Sequence, residues 1–301
     1  MALFQTSVLK QYINLQELAV VEKAYRKYQK YFLNPTIQEN IKSSKEEQFQ
    51  ATFLTELFVN ILGYTINPSP NYNITTEFKN QKNARKADGA ILKDAQAIGV
   101  IELKGTKTKD LESIRRQAFD YKANQKGCVY VVTSNFEKLR FYINDATEFE
   151  EFNLFELSQE RFQLLYLCLF RDNILTNLPL SIKEASIVEE EKITKSFYSD
   201  YSVFKRELFR DLVKRNAKRL KSEASTIIST SDDNIDAQAE IARLEKNVKL
   251  TLFKKSQKLI DRFLFIFFAE DRTLLPSNST LQILNKWKDD WDFGDERPLY
   301  Q

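Results

Sequence analysis

Histidine is absent from this chain of 301 residues, and cysteine, methionine and tryptophan are scarce, with two, one and two copies. The absence of histidine excludes a histidine general base, a histidine-ligated zinc ion and a Ser-His-Asp triad within this chain. Any chemistry must therefore depend on carboxylates, lysine, tyrosine or a metal ion. Cys128 and Cys168 both stand in apolar surroundings, which predicts buried thiols in a reducing cytoplasm rather than a disulfide framework.

Long apolar runs are also missing. The strongest candidate, Phe263 to Ala269, is far shorter than the ~20 residues that span a membrane, and the N-terminal stretch MALFQTSVLKQY lacks the basic and apolar regions of a signal peptide. We therefore expect a cytoplasmic protein with no membrane partner. Hydrophobic residues make up 43% of the chain, enough for buried cores, and the length suggests about two domains. The net charge of +3 is too small to predict nucleic-acid binding, which would need local clusters of positive charge.

The stretch from Lys86 to Lys104, KADGAILKDAQAIGVIELK, predicts two short strands joined by a polar turn at residues 93–96. Side chains alternate between the faces of a strand, so Glu102 and Lys104 should point the same way at its end. The preceding strand carries Asp88, which can lie beside them. Two carboxylates with an adjacent lysine form a hard-oxygen site for a divalent cation such as Mg²⁺. The alternative is that these residues are solvated strand-end charges that discourage pairing between sheets.

Predicted helices at residues 8–33, 45–62 and 110–126 flank this hairpin, and residues 36–44 are predicted to be a polar link. A further strand, Tyr72–Phe78, is predicted before the hairpin from its alternation. Further predicted strands follow at Cys128–Thr133 and Lys138–Ile143, before a helix that begins near Ser158. The element order is α-α-β-β-β-α-β-β-α, which predicts an α/β fold with a mixed sheet and helices on its faces.

Three side chains on these helices are further candidates. Glu47 lies near the apolar face of the second helix, although a role as the acid of a capping box that begins at Ser43 or Ser44 is the simpler explanation. Gln117 and Tyr121 are one turn apart on the third helix and share a face.

The composition changes after about residue 171, and we predict one domain at residues 1–180 and an all-α domain at residues 181–301. A linker is predicted at 178–191, which contains a proline and an acidic run. Aromatic residues cover most of the helix surface at 259–275, which predicts that this segment is buried.

A helix at 205–221 carries basic residues one turn apart, which form a stripe along one side. Such a stripe could face the phosphates of DNA, or it could be an ordinary solvated face. Its candidate DNA-binding residues are Arg206, Arg210, Lys214 and Lys218.

The spacing of Asp88 from Glu102–Leu103–Lys104 resembles the PD-(D/E)XK nuclease superfamily. Ala87 stands where the motif has proline, a position that varies within the superfamily. Glu47 matches the acid that many such nucleases place on an N-terminal helix, and Gln117 and Tyr121 match a QxxxY element that some members carry after the ExK strand.

The resemblance implies a restriction-endonuclease-like sheet and Mg²⁺-dependent hydrolysis of phosphodiester bonds in double-stranded DNA, with Mn²⁺ as a substitute and a transient dimer for double-strand cleavage. Lys104 would orient the attacking water or stabilise the transition state. Gln117 and Tyr121 would position Lys104 or a DNA phosphate. The implied metal ligands are Asp88, Glu102, the carbonyl of Leu103, and Glu47.

The segment DRFLFIFFAEDRTLLP, Asp261 to Pro276, resembles the helical connector of type IIG restriction-modification enzymes. In those enzymes the connector joins the nuclease to an adenine-specific DNA methyltransferase. This sequence has no Gly-rich cofactor loop and no Asn-Pro-Pro-aromatic motif, so we expect it to be a portion of a longer protein. S-adenosylmethionine would then be a cofactor of the absent methyltransferase part only.

Two other interpretations stay open. The chain could be a non-catalytic DNA-binding or assembly module that keeps a nuclease-like fold, although a decayed site usually loses at least one member of its Asp, Glu and Lys set. It could also be a nuclease from another phage-defence system with the same domain order, which the sequence does not distinguish from a type IIG enzyme.

Overall fold

The protein is described here by a computed structural model. It covers residues 3–79, 86–216, 219, 222–223, 225–226, 229, 234–272, 274–276 and 278–292. The chain divides into a first unit, Met1–Ile193, and a second unit, Thr194–Gln301.

The first unit begins with helices, and their bounds are α1 Thr6–Asn14, α2 Leu18–Phe32, α3 Pro35–Ser43 and α4 Glu46–Phe53. A π-helical segment, Leu54–Ile61, continues α4 directly. The single helix predicted at 8–33 is thus two helices.

The polar link predicted at 36–44 is wrong, because this stretch is α3. Asn34 accepts hydrogen bonds from the backbone of Thr36 and Ile37 at 3.0 and 3.4 Å, and Pro35 occupies the first turn. Asn at the N-cap followed by Pro favours the start of a helix, so Asn34–Pro35 ends α2 and also begins α3.

The described strands form one six-stranded sheet in the order β1 to β6. Strands β3 and β4 are parallel and are connected through α5, Leu111–Ala123. The other neighbouring pairs are antiparallel. The strand bounds are β1 Ile74–Lys79, β2 Lys86–Lys93, β3 Gln96–Leu103, β4 Tyr130–Ser134, β5 Lys138–Ile143 and β6 Phe149–Asn153. The fold is therefore mixed α/β, with a mixed sheet and flanking helices, as predicted.

Strand β6 is absent from the prediction because its sequence, FEEFN, does not alternate between apolar and polar residues. Its inward position holds Glu150, which is 9% exposed. Arg161 lies 3.5 Å from the Glu150 carboxylate and compensates its charge.

The turn between β2 and β3 lies at Asp94 and Ala95, as predicted. Their φ angles are +49° and +62°, and Lys93 pairs with Gln96. Two residues with positive φ are typical of the tight turns whose twist matches that of a β-hairpin. This turn sets the register that brings the start of β2 beside the end of β3.

One side of the sheet is closed by the N-terminal helices together with α6 Gln159–Leu169, α7 Arg171–Leu175 and the beginning of α8 Leu178–Arg215. Burial of an aromatic side chain contributes about 1.5–3 kcal/mol, so this core dominates the stability of the first unit. Its fully buried aromatic residues include Tyr28, Phe32, Phe53, Phe58, Phe136, Phe141, Phe152 and Phe162.

The linker predicted at 178–191 is wrong, since α8 runs through it without a break. Pro179 lies in the first turn of α8, where a missing backbone N–H costs nothing. Lys183 Nζ donates to the carbonyl of Ile143 at 3.0 Å and lies 3.0 Å from the Glu148 carboxylate. These contacts attach the start of α8 to the sheet.

The described part of the second unit is helical, as predicted, with α9 Asn234–Asp271 and α10 Ser279–Asp292 after the end of α8. The burial predicted for 259–275 is wrong. Phe265, Phe267 and Phe268 are 70%, 49% and 53% exposed, because apolar residues lie all around this helix and the described chain covers one side of it. None of the described helices is both long and apolar enough to span a bilayer.

Candidate functional site

The end of β3 brings an acid and a lysine together, as the alternation of side chains predicts. Ile101 and Leu103 are fully buried in the core on one side of the sheet. Glu102 is 1% exposed, and its Oε1 lies 3.1 Å from Lys104 Nζ. The backbone N–H of Lys104 donates to the carbonyl of Ser134 at 2.8 Å, so the lysine is anchored to the neighbouring strand.

Asp88 joins this cluster from β2. Gly89 pairs with Ile101 in the antiparallel register, so the preceding residue lies beside Glu102. Asp88 Oδ2 accepts a hydrogen bond from the backbone N–H of Leu103 at 2.7 Å. The structure therefore places Asp88, Glu102 and Lys104 together where the start of β2 lies beside the end of β3.

The helix acid that reaches this cluster is Glu46, and not the predicted Glu47. Glu46 Oε1 lies 3.2 Å from Lys104 Nζ, and Glu46 Oε2 accepts from the backbone N–H of Gly105 at 3.1 Å. Glu47 is exposed to solvent. We call Asp88, Glu102, Glu46 and Lys104 the acid–lysine cluster.

The orientation of α4 explains why Glu46, rather than Glu47, faces the acid–lysine cluster. Its N-cap is Lys45 rather than Ser43 or Ser44, and the Lys45 N–H donates to Gln48 Oε1 at 3.2 Å. Phe49 and Phe53 are buried, and they lie three and seven residues after position 46. Helical spacing from these two phenylalanines would have indicated Glu46 as the acid on the inner face.

Burial dominates the electrostatics of the carboxylates. It raises the pKa of Glu102 to about 7, and the nearby charge of Asp88 adds to the rise, whereas Lys104 opposes it. Burial also raises the pKa of Asp88 above its usual range, although the hydrogen bond from Leu103 favours the charged form.

For the pKa of Lys104, the attraction of the neighbouring acids outweighs the effect of burial. Burial alone would lower its pKa, but the attraction of Glu102, followed by Asp88 and Glu46, raises the pKa above the ordinary value. Its ammonium therefore stays charged, and three acids share one cation.

One buried carboxylate oxygen here, Glu102 Oε2, has no hydrogen-bond partner within the described part of the chain. An unpaired buried carboxylate oxygen is costly unless another group, such as a water or a cation, contacts it. The cluster thus has unused capacity to bind a donor or a positive charge.

The donors fit a hard divalent cation in chemical type, since carboxylate and carbonyl oxygens are the ligands that Mg²⁺ uses. The candidate donors are Asp88, Glu102, Glu46 and the carbonyl of Leu103. Among the described residues, no three His, Cys, Asp or Glu side chains are arranged in the geometry of a metal centre. Instead, Lys104 Nζ donates to the carbonyl of Leu103 at 3.1 Å.

Gln117 and Tyr121 share a face of α5, as predicted, and Gln117 Nε2 donates to Tyr121 Oη at 3.1 Å. Tyr121 packs in a small core with Ala87, the neighbour of Asp88. No hydrogen bond or ion pair that we observe between described residues joins Gln117 or Tyr121 to the acid–lysine cluster. They border a surface cavity of about 610 Å³ that is lined mainly by α5.

The predicted basic stripe lies on the last part of α8. Arg206, Arg210 and Lys214 are exposed, and Arg210 forms an ion pair with Glu207 at 3.2 Å. Lys218 lies outside the described residues. This exposure is compatible with a phosphate-binding stripe and with a solvated face.

Both cysteines are buried free thiols, as predicted. Comparisons with protein-family models, with curated proteins and with solved structures found no match to this chain.

Proposed function

We propose that this chain is a Mg²⁺-dependent DNA endonuclease of the PD-(D/E)XK type, hydrolysing phosphodiester bonds in double-stranded DNA. One observation carries the proposal: Asp88, Glu102 and Lys104 converge at the end of a buried strand in a mixed sheet. The unpaired Glu102 Oε2 supports it, because it leaves one ligand oxygen ready for a cation.

Asp88, Glu102 and the carbonyl of Leu103 would hold the ion, and Glu46 takes the role that the sequence assigns to Glu47. When bound, Mg²⁺ polarises the phosphate and lowers the pKa of a water molecule. Lys104 orients that water or stabilises the charge that develops on the phosphate. Glu102 must lose its proton before it acts as a ligand, and its pKa of about 7 makes the site weaker in acid.

The second unit fits a helical connector, and we propose on this basis the nuclease part of a type IIG restriction-modification enzyme. Its exposed stripe of Arg206, Arg210 and Lys214 would contact DNA phosphates, which position the duplex without reading its sequence. The same proposal includes a transient dimer for double-strand cleavage, and it assigns base recognition and adenine methylation with S-adenosylmethionine to a methyltransferase part that this sequence does not contain.

A non-catalytic DNA-binding or assembly module is the second candidate. The observation that favours it is the ion-paired state of Lys104, which closes the acids into a cluster that needs no metal ion. A nuclease from another phage-defence system would share the chemistry proposed here, and it differs only in the domains that accompany it.

The test is cleavage of supercoiled plasmid with Mg²⁺ or Mn²⁺ by the wild-type protein and by Asp88→Asn, Glu102→Gln and Lys104→Met. Each variant should lose about 100-fold or more of the activity, the usual cost of removing one electrostatic group from a hydrolytic site. Lys109→Met is the matched control, since Lys109 is 77% exposed and pairs with Glu137. Wild-type activity in all three variants, in protein of verified purity, would contradict the proposal.

A further inference from the structure

We infer that the ammonium group of Lys104 occupies the cation position of the acid–lysine cluster, and that a divalent ion binds by displacing it. This inference rests on the proposed function. Lys104 Nζ lies 3.1 Å from Glu102 Oε1, 3.1 Å from the carbonyl of Leu103 and 3.2 Å from Glu46 Oε1. These three oxygen atoms are candidate donors to the metal ion.

A lysine ammonium has three N–H donors, and here each of them has one acceptor. Mg²⁺ would need the same oxygens at about 2.0–2.1 Å. Two cations cannot share one cage of this size, because their charges repel and their ligands are the same atoms. Metal binding therefore requires the ammonium to leave.

The charge balance shows why a divalent ion can compete. One ammonium faces three carboxylates, and Glu102 is 1% exposed with Oε2 unpaired. A divalent ion at this position would supply the second positive charge and contact the oxygen that Lys104 leaves unpaired. The acids gain more from the metal ion than from the lysine.

Lys104 has space to move. Its side chain is 27% exposed, while its backbone is fixed by the hydrogen bond to Ser134. Only the side chain needs to swing away, and it then lies beside the cation, where charge develops on a bound phosphate. The same lysine thus limits metal affinity before binding and assists the reaction afterwards.

The first experiment measures Mn²⁺ affinity by titration calorimetry on the full chain, with circular dichroism to verify folding. Lys104→Met keeps an unbranched apolar side chain, one atom shorter than that of lysine, and removes the charged ammonium group. We expect it to bind Mn²⁺ at least about tenfold more tightly than the wild type, a conservative effect for removing one adjacent positive charge. Lys109→Met should bind like the wild type, and Glu102→Gln should bind far more weakly.

The second experiment separates displacement from simple repulsion. Brief acetylation followed by mass spectrometry reports how free each lysine is. Mg²⁺ should increase the labelling of Lys104 several-fold, because the ammonium is released from its three acceptors, and should leave Lys109 unchanged.

Equal or weaker Mn²⁺ binding by Lys104→Met, or unchanged labelling of Lys104 in saturating Mg²⁺, would overturn the displacement and leave the proposed nuclease intact, provided that Glu102→Gln still weakens binding. If the wild type and Lys104→Met both fail to bind Mn²⁺, the metal site itself is wrong, and the proposed function falls together with this inference.

Discussion

Phe53 in the first unit is fully buried, whereas Phe265 in the second unit is 70% exposed. The same contrast holds across the two units. The first unit closes a large aromatic core around one side of its sheet, but the described part of the second unit buries few apolar side chains, among them Leu252, Ile260 and Ala269. A sheet covered by helices hides its apolar surface within itself, while a long helix with apolar residues on every side cannot do so alone.

The two units also differ in how far their charged side chains are removed from water. Glu102 in the first unit is buried and has a raised pKa. In the second unit, the side chains of ion pairs such as Arg215–Asp211 and Lys249–Glu245 are exposed by half or more, and the partners lie one helical turn apart. Such pairs contribute only about 0.3–0.5 kcal/mol each. Strong electrostatic effects are therefore expected where the sheet removes charges from water.

The largest expected effect tests the difference in burial. Phe53→Ala should destabilise the protein by about 3–5 kcal/mol, because it opens a cavity beside Phe32 and Phe136. Phe265→Ala should change the free energy of unfolding by less than about 0.5 kcal/mol. Urea unfolding followed by circular dichroism measures both, and similar losses in the two variants would break the comparison.

The next effect tests the buried charge through pH. The folded-state pKa of Glu102, about 7, lies above its ordinary value of 4.5, so its contribution to stability is complete below that ordinary value and is lost as the pH rises through 7. At about 1.4 kcal/mol per pKa unit, the loss is roughly 3 kcal/mol. Glu102→Gln removes this pH-dependent loss of stability, so the variant should gain stability relative to the wild type as the pH rises from about 5 to about 8.

Glu77→Gln is the control for this measurement. The exposed Glu77 carboxyl has a pKa lowered by its hydrogen bond to Lys86, so its contribution is constant over that pH window. Thermal unfolding across the window measures both variants. A flat difference between Glu102→Gln and the wild type would show that Glu102 is not held in a low-dielectric site.

A smaller effect distinguishes two neighbouring acids. Glu46→Ala removes one of the three acceptors of Lys104 and the acceptor of the Gly105 N–H. Hydrogen bonds to a charged group contribute about 1.5–3 kcal/mol, and reduced repulsion among the acids offsets part of the loss, so we expect a cost of about 1–2 kcal/mol. Glu47→Ala should be neutral, because Glu47 is exposed. Urea unfolding measures the stability of both variants. An equal loss of stability in the two would indicate that Glu47 also belongs to the acid–lysine cluster.

The smallest effect on stability concerns the basic stripe. Replacing Arg206, Arg210 and Lys214 with Gln should barely change stability, but should weaken DNA binding and reduce its salt dependence by up to about 0.9 in the log–log slope per lost phosphate contact. The matched control replaces the exposed Lys254, Lys255 and Lys258 of α9 and removes the same charge. An unchanged slope in the stripe variant would identify an ordinary solvated face.

The sequence was sufficient for the sheet wherever periodicity and turn chemistry agreed. The hairpin from Lys86 to Leu103 is found with its turn at Asp94 and Ala95, and strand β5 has the predicted bounds. Alternation along β3 also placed Glu102 and Lys104 on one side. These features depend on neighbouring residues, so local patterns can predict them.

The errors lie where a second element decides the outcome. Glu150 is tolerated inside β6 because Arg161, on another element, pairs with it. The error at Glu47 is of another kind, because the spacing from Phe49 and Phe53 within α4 already favours Glu46, and one residue rotates a side chain by about 100°. The exposure of Phe265 depends on which surfaces cover α9, and no pattern within the helix contains that information.

The sheet consists of two antiparallel halves, β1–β3 and β4–β6, which meet at the parallel pair of β3 and β4. Contacts within each half link strands that are near in sequence, whereas the seam between them closes only after the chain has passed through α5. Native-state hydrogen exchange should therefore find the halves opening as separate cooperative units. Asp88 and Glu102 belong to the same half and would stay together through such an opening. Lys104 would lose its backbone hydrogen bond to Ser134. Opening of the β3–β4 pair would therefore affect the lysine without separating the two acids.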